Sequence, residues 1–249
     1  MGTSIPAERT VRFVRLTLRR LNNVVISDLQ PRDSNPLRST FPYTSVPYQS
    51  VNAFVLARES SGESMLRLHL FTRESGPLVA YRRRRPSRTA GATVTPDLFD
   101  RIEAVLETRN EGRTWFVKED TVSRRFPGIG RAYETLDYTS RFARLVSRNP
   151  CPEEAAPRLF RDVETAFSAW EAGGPPALVF LKALYLYARD EGFPVRQDWL
   201  QGLPAARRAS ATALIRQPLA ELPGAARGQA ETLADSLQAW LRDHHELRF

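Results

Sequence analysis

The first clear pattern in the chain is an apolar residue at every second position. Val51, Ala53 and Val55 follow this period, and Leu66, Leu68 and Leu70 alternate with Met65, Arg67, His69 and Phe71, which is typical of strands with one buried face. Polar residues at 60–63 and 73–76 separate these stretches and predict tight turns, and a third strand is predicted over 78–82. This part of the chain is therefore predicted to be a β-meander.

Two more strands with their own turn follow. They are predicted around 98–108 and 114–122, and Asn110-Glu111-Gly112 is a typical hairpin turn between them. Five short strands in succession are typical of a small β-barrel such as the OB-fold. We expect an OB-fold domain over residues 48–125.

After Phe126 the hydrophobic period changes from two residues to 3.6. Apolar residues recur at helical spacing through 132–146 and 159–170, and an almost wholly apolar helix is predicted over 177–190. A last helix carries one apolar stripe, formed by Ala230, Leu233, Leu237 and Trp240. The expected fold class is α+β: an N-terminal OB-fold β-barrel followed by an all-helical domain over 126–249.

Residues 1–47 differ in composition from the rest of the chain. Basic residues alternate with apolar ones around 11–20, and a Pro- and Ser-rich passage runs from Pro31 to Pro47. This composition does not predict a stable core. One strand is possible over 11–18, but we interpret the segment as a flexible basic arm or as an extension upstream of the domain.

The charge of the chain indicates a polyanionic partner. The 249 residues carry a formal net charge of +8 with a pI near 10.2, which favours nucleic acid over other partners. Lys118 and Lys182 are the only lysines, so nearly all of the positive charge is arginine. Arginine suits phosphate, although the codon usage of a GC-rich genome would produce the same bias.

The residue types give little support to catalysis, metal binding or membrane insertion. A single cysteine, Cys151, excludes an internal disulfide and a cysteine-rich zinc site. His244 and His245 are adjacent on a predicted helix, so their side chains diverge by about 100° and cannot share a metal. No apolar run reaches the roughly 20 residues that cross a bilayer. We expect a non-enzymatic cytoplasmic protein with no metal, no cofactor and no membrane partner.

A dense group of arginines follows the predicted third strand. Several guanidiniums on one loop attract a polyanion and pair bidentately with phosphate oxygens. A solvated loop with no ligand is the alternative. Further candidates lie in the preceding strand and turn and at the end of the barrel, although Arg67 is equally an outward strand residue and Arg73 a partner of Glu74. The predicted DNA-binding residues are Arg82, Arg83, Arg84, Arg85, Arg88, Arg67, Arg73, Arg124 and Arg125.

Three aromatic residues of the predicted barrel are candidates for stacking on bases. Tyr81 precedes the arginine group, and Trp115 and Phe116 begin the last strand. Exposed aromatic rings stack on bases with little sequence preference. Because aromatics in strands also pack in cores, both interpretations remain open.

Four short segments of the predicted barrel follow one another in a characteristic order: Ala53-Phe54-Val55-Leu56, Gly62-Glu63-Ser64, Leu70-Phe71-Thr72-Arg73-Glu74-Ser75-Gly76 and the arginine group over 82–88. Their order and spacing resemble those of the RecO recombination-mediator family of DNA repair proteins. Downstream, Arg125-Phe126-Pro127-Gly128-Ile129 resembles the junction of that family between barrel and helices, and Pro157-Arg158-Leu159-Phe160 resembles its next helix start. The resemblance covers residues 51–193. Many members carry a four-cysteine zinc module after the central helices, whereas 193–203 contains no cysteine here.

The resemblance implies a function in homologous recombination at the bacterial nucleoid. Such proteins bind single- and double-stranded DNA, anneal complementary strands, contact the acidic C-terminal tail of the single-strand-binding protein, and act with RecR to load the RecA recombinase. For the tail, the resemblance points to the first helix of the bundle, where guanidiniums would take the terminal carboxylate and an apolar notch would take its aromatic end. The predicted partner-binding residues are Arg131, Arg141, Phe142 and Arg144.

Three alternatives remain open at this stage, one for the first helix and two for the whole protein. The arginines of the first helix are equally explained as a solvated face paired with Glu134 or Asp137. The whole protein is alternatively a helical adaptor that binds a protein partner through its bundle, with a barrel that no longer binds DNA. A nuclease is a third and weaker hypothesis, because the sequence contains no cluster of metal ligands.

Overall fold

The structure, a computed structural model, describes residues 47–84, 94–108, 110–219 and 226–249. The prediction for residues 1–47 therefore lies almost wholly outside the described part. Five strands come first: β1 (Tyr48–Ser61), β2 (Met65–Thr72), β3 (Gly76–Arg83), β4 (Arg101–Thr108) and β5 (Trp115–Arg124). They pair in the order β1-β2-β3-β5-β4 and close into a barrel. Every pair is antiparallel except β3 with β5.

The inside of the barrel contains the residues that the alternation predicts. Val51, Ala53 and Val55 of β1 lie inward and are buried with Leu68 and Leu70 of β2. Side chains of a strand alternate between the two faces, so residues 48, 50, 52 and 54 of β1 lie on the outer face. This alternation decides which of the candidate site residues are exposed.

The fourth strand begins later than the sequence predicts. It starts at Arg101 rather than near Leu98, because Asp97–Asp100 forms a turn in which the Asp100 carboxylate accepts a hydrogen bond from the Asp97 N–H at 2.8 Å. Phe99 has a φ of 68°, a left-handed conformation that a strand does not contain. The two acidic residues that precede the strand therefore act as turn residues.

Helices follow the barrel, which confirms the α+β class as a five-stranded sheet followed by helices. A short 3₁₀ helix leads into the bundle and a π-helical turn interrupts it. In chain order the elements are the 3₁₀ helix Pro127–Arg131, α1 (Tyr133–Arg148), α2 (Ala156–Glu171), α3 (Pro176–Asp190), the π-helical turn Val195–Leu200, α4 (Ala205–Arg216) and α5 (Ala226–His245). Helix α3 is buried on most sides, as its apolar sequence predicts.

Barrel and bundle share one hydrophobic core. Phe54 lies on the outer face of β1 with no exposed surface, and its ring centroid is 4.6 Å from that of Phe160 and 5.3 Å from that of Phe167 in α2. Phe71 of β2 is also completely buried in this core. The prediction that each strand has a single buried face is therefore wrong at this end of the barrel, because the helices cover the outer face there.

The junction between barrel and bundle fits its local sequence. Phe126 and Ile129 are buried in the shared core, and Pro127 begins the 3₁₀ helix, where a missing N–H is tolerated. A Cβ on Gly128 would lie 2.6 Å from the Glu171 carbonyl oxygen. Because only glycine fits this approach, the C-terminal end of α2 packs directly against the 3₁₀ helix of the junction.

Candidate nucleic-acid interface

The arginine group is divided by the structure into residues with different environments. Arg85 and Arg88 lie outside the described residues. Arg82 and Arg83 are the last residues of β3, and Arg84 follows the strand directly. Since neighbouring strand residues face opposite sides of a sheet, Arg82 and Arg83 cannot act on the same surface.

Arg82 is not a surface residue, which corrects its prediction as a DNA contact. Leu78, Ala80 and Arg82 occupy the inward positions of β3, and the Arg82 side chain is only 3% exposed. Its Nε donates a 2.9 Å hydrogen bond to Oδ1 of Asp120, which is itself 5% exposed. A guanidinium enclosed in this way and paired with a carboxylate is not available to a phosphate.

Arg83 and Arg84 are exposed and remain candidates. Arg83 has an outward position opposite Met65 of β2. The backbone N–H of Arg84 donates to the Ser64 carbonyl at 2.8 Å, and its guanidinium donates to the Ser60 hydroxyl. Arg84 is thus held against the β1–β2 turn, while no ion pair within the described residues involves Arg83.

The two candidate arginines of β2 and of the β2–β3 turn, Arg67 and Arg73, differ in whether they form an ion pair. Arg67 is an outward residue of β2, as its alternative interpretation states, and its Nη1 lies 3.6 Å from an Oε of Glu59. Arg73 is exposed in the β2–β3 turn. Within the described residues, no ion pair joins Arg73 to Glu74. Both arginines are therefore on the surface, but Arg67 is partly neutralised.

Arg124 and Arg125 are tied to the junction with the helices. Arg124 lies over the ring of Phe126 at 4.5 Å and 3.5 Å from Glu164. Arg125 lies 3.6 Å from Asp100, a carboxylate whose pKa is raised by burial and partly lowered again by this guanidinium. Both side chains are half-exposed, so they contribute positive charge to the surface while also serving the fold.

A row of outward residues crosses the barrel at the end that the helices leave free. Strand register places Arg67 of β2 opposite Tyr81 of β3, Tyr81 opposite Phe116 of β5, and Phe116 opposite Glu107 of β4. Glu107 is in turn opposite Tyr48 of β1, which completes the row. The row forms because directly opposite residues of paired strands face the same side of the sheet.

The aromatic residues of this row are accessible. The rings of Tyr81 and Phe116 are 5.9 Å apart, and Phe116 is 36% exposed. Tyr48 is 54% exposed and its ring lies 4.3 Å from the Lys118 ammonium. Trp115, in contrast, occupies an inward position and packs against the barrel core. Of the three aromatic candidates, two are on the surface and one belongs to the core.

Sequence reasoning missed Tyr48 and Lys118. Tyr48 is six residues before the covered Phe54, so about 20 Å of β1 separates Tyr48 from the helices. Tyr48 was assigned to the edge of the domain and Lys118 is a lone lysine in a strand, and neither position carries a local signal. Only the closure of the barrel, which joins β1 to β4 and β4 to β5, brings the two residues together.

The predicted partner site on the first helix is largely corrected. Phe142 is 1% exposed and packs in the shared core, so it does not line a surface notch. Arg141 lies 2.7 Å from Asp137 and 3.7 Å from Asp235, which agrees with the alternative of a paired helix face. Arg131 belongs to the 3₁₀ helix rather than to α1. Arg144 is exposed on α1, and only one of the four residues therefore has the predicted place and accessibility.

Two apolar side chains of α1 that are not among the predicted partner-binding residues are exposed. Tyr133 is 84% exposed and Leu136, one turn later, is 36% exposed. Residues three apart on a helix share a face, so these two side chains form a small apolar surface that begins two residues after the exposed Arg131. Sequence reasoning did not identify Tyr133, and the apolar spacing over 132–146 predicts Leu136 on the apolar face of α1. That prediction is wrong for Leu136, whose side chain is on the surface.

Comparison with known protein families and with curated proteins finds no family model and no curated protein that matches this chain.

No helix in the described ranges is both long and apolar enough to cross a membrane. Across the same ranges, no three His, Cys, Asp or Glu side chains are grouped so that they could hold a metal ion. The geometry of the free barrel face is therefore the basis for assigning a function.

Proposed function

We propose that this protein is a DNA-binding accessory factor of the RecO type, acting in recombination and repair without making or breaking bonds. It binds single- and double-stranded DNA, anneals complementary strands and assists the loading of a recombinase. The observation that carries the proposal is the free row of the barrel, where Tyr81 and Phe116 lie side by side with Arg67 and Arg83 near them. The motif resemblance supplies the biological role, with RecR, RecA and the tail of the single-strand-binding protein as implied partners.

The row has the chemistry that sequence-independent strand binding requires. Bases stack on exposed aromatic rings with about 1–3 kcal/mol each, while cations beside the rings hold the phosphates. Tyr81 and Phe116 supply two adjacent rings, and Tyr48 supplies a third beyond Glu107. Glu107 interrupts the positive surface, so the strand is held mainly on the β2–β3 side of the row.

The barrel topology supports an OB-fold assignment. Five strands in a closed order, with β3 parallel to β5, suit the five-stranded barrel that presents oligonucleotides to one sheet face and its neighbouring loops. The β1–β2 turn, which holds Arg84 against Ser60, borders the same face. We infer that the strand crosses β3 and β5 and leaves past this turn.

The test is a titration of fluorescein-labelled oligo-dT with the full chain, followed by fluorescence anisotropy. We expect Phe116→Ala and Tyr81→Ala each to weaken binding by roughly 5- to 150-fold, the equivalent of one lost stacking contact. Arg83→Ala is expected to reduce the slope of log affinity against log salt by about 0.7, the value for one phosphate of a single strand.

Tyr133→Ala is the matched control for the aromatic variants. Tyr133 is more exposed than either ring of the row but belongs to α1, so its loss should leave DNA affinity unchanged. Equal affinity of wild type, Phe116→Ala and Tyr81→Ala would refute the barrel site. Absence of binding by the wild-type chain at any salt concentration would refute the proposed function as a whole.

One observation favours the adaptor as a second candidate function. The apolar surface of Tyr133 and Leu136, next to the exposed Arg131, has the composition of a small protein-binding patch. Under this alternative, Tyr133→Ala abolishes the capture of a protein partner while Phe116→Ala has no effect. The same two variants therefore separate the candidates.

A further inference from the structure

A large groove lies in the helical part of the protein, away from the residues assigned above. Its walls are one face of α3 and one face of α4, and the π-helical turn closes its floor. On α3 the lining residues Lys182, Tyr185 and Arg189 are spaced at three and four, so they share one helix face. The volume is about 1480 Å³, which is larger than the roughly 300–1,000 Å³ of pockets for small ligands.

The charge of the groove is entirely positive. Five cationic side chains line it and none of its lining residues is acidic: Lys182, Arg189, Arg196, Arg208 and Arg216. The cations come from α3, the π-helical turn and α4, so they surround the groove on three sides. Like charges gathered in a concave surface focus a positive potential, which attracts a polyanion.

Two of the five cations already have structural partners. Lys182 donates from Nζ to the carbonyl oxygens of Ile215 and Gln217 at 2.9 Å and 2.7 Å, and so holds the C-terminal end of α4 against α3. Arg189 donates to the neighbouring Asp190 carboxylate at 2.7 Å. These residues shape the groove rather than bind a ligand.

The other three arginines are available. Arg196 and Arg216 are exposed, and among the described residues neither forms an ion pair. Arg208 is half-buried, and within the described part of the chain its guanidinium donates only to the Gln201 carbonyl, at 3.1 Å. A guanidinium has five N–H donors, so each of the three retains a fork for a phosphate.

The uncharged lining fits bases. Tyr185 on the α3 wall and Phe193 just before the π-helical turn are both partly exposed and offer ring faces. Gln197, Gln201 and Gln217 present side-chain amides, which both donate and accept hydrogen bonds and so match the edges of bases. Side-chain amides would also pair with the backbone of an acidic peptide, so the two ring faces, on which bases stack, are the part of the lining that favours nucleic acid.

We propose that this groove is a second binding site for a single strand of nucleic acid, separate from the barrel. Arg196, Arg208 and Arg216 hold the phosphates, and Tyr185 and Phe193 support the bases. The choice of ligand rests on the proposed function, and the site deepens it: a protein that holds one strand on its barrel and a second on its helices brings two strands together on one chain.

The experiment counts strands on the full chain by native mass spectrometry with the oligonucleotide dT8 at low salt. We expect two strands on the wild type. The groove variant Arg196→Ala/Arg208→Ala/Arg216→Ala and the barrel variant Arg83→Ala/Phe116→Ala/Lys118→Ala should each bind one. The control Arg161→Ala/Arg207→Ala/Arg242→Ala removes the same charge from exposed positions outside both sites and should bind two.

The outcomes separate this inference from the proposed function. Two strands on the groove variant, or the same loss in the control as in the groove variant, would overturn the second site. A second outcome is that the wild type binds one strand and only the barrel variant loses it. This outcome would also overturn the second site, but it would leave the proposed function intact. One strand that only the groove variant loses would support the groove and refute the barrel site.

A peptide-binding assay tests whether the groove binds an acidic peptide instead of nucleic acid. A glutamate-rich peptide with one phenylalanine is titrated against the wild type and the groove variant by anisotropy. Binding that depends on the three arginines, together with an unchanged dT8 count in the groove variant, would reassign the groove to an acidic peptide and overturn the proposal. A dT8 count that falls from two to one in the groove variant supports the proposal.

Discussion

Arg82 and Arg83 are adjacent in the chain, carry the same side chain and have opposite roles. Arg82 faces inward and its pairing with Asp120 joins β3 to β5 inside the barrel, where β5 closes the sheet. Arg83 faces outward and is free to meet a ligand. A run of arginines in a strand thus contains residues that face inward and residues that face outward. A variant that replaces the whole run therefore changes the stability of the fold and the charge of the surface together.

The Arg82–Asp120 pair is expected to be essential to stability. Removing one member of a buried pair leaves the other charge without a partner, so Arg82→Ala should lower the free energy of unfolding by about 3–5 kcal/mol. Arg83→Ala, next to it on the exposed side, should change that free energy by no more than about 0.5 kcal/mol. Urea denaturation followed by tryptophan fluorescence measures both.

An apolar replacement of the whole pair provides the control. Arg82→Met combined with Asp120→Leu removes both charges, so it should recover most of the stability that Arg82→Ala loses. If Arg82→Ala and Arg83→Ala unfold at the same urea concentration, the pair contributes nothing and the interpretation of Arg82 as a structural residue is wrong.

The C-terminal end of α5 packs against the segment that follows α3. The last turn of α5 carries His245, whose ring lies 4.4 Å from Phe193 and 4.6 Å from Trp240. Phe193 follows α3, so this contact joins the end of α5 to the floor of the groove. His244, the neighbouring residue, is exposed and its ring stacks along that of Trp240.

This contact is expected to make stability depend on pH. Burial lowers the pKa of His245 below its usual 6.5, with a smaller contribution from His244 that Asp198 opposes. Since the unfolded chain then binds a proton more readily than the folded chain, the contribution of His245 is complete above pH 6.5 and is lost as the pH falls through the folded pKa. Thermal unfolding between pH 7 and pH 5 should therefore show a loss of stability that His245→Phe reduces.

The variants must be compared with wild type at each pH, because other groups act in the opposite direction. Burial raises the pKa of Asp162 and Glu191, so their contributions are lost as the pH rises rather than as it falls. His244→Gln serves as the control and should follow the wild-type profile. An identical pH dependence in wild type and His245→Phe would rule out the role given to His245.

For the whole molecule, the shared core makes barrel and bundle a single unit. Phe54 of β1 contacts α2 directly, and Glu164 of α2 accepts a 2.7 Å hydrogen bond from Arg101 of β4. Neither part can unfold without exposing apolar surface of the other. The same packing covers one end of the outer barrel face and leaves the other end free for a ligand.

Cooperative unfolding is the expected consequence. Calorimetry should show one transition for barrel and bundle together, and Phe54→Ala should lower the free energy of unfolding by about 3–5 kcal/mol, the usual cost of a large buried cavity. Val94→Ala, at an exposed position, should leave the transition in place. Two separate transitions, with Phe54→Ala affecting only the first, would contradict a shared core.

Local patterns were enough to predict much of the fold. Alternation placed Val51, Ala53 and Val55 inside the barrel, and the apolar run of α3 placed that helix at the centre of the bundle. Both predictions succeed because the period of an element and its burial are properties of neighbouring residues. The start of β4 was missed because the turn that delays it depends on a hydrogen bond between the side chain and backbone of two aspartates.

The candidate site was predicted less well, and the reason is physical. Sequence alone predicted a polyanionic ligand, from a net charge of +8 in which almost every cation is arginine, and it identified Tyr81 and Phe116 as candidates. Tertiary structure decided which side chains are accessible: Arg82 and Phe142 are buried, while Tyr48 joins the exposed row. Net charge and hydrophobic period are properties of the order of residues along the chain. The accessibility of a side chain depends instead on which strands pair and on where the helices pack.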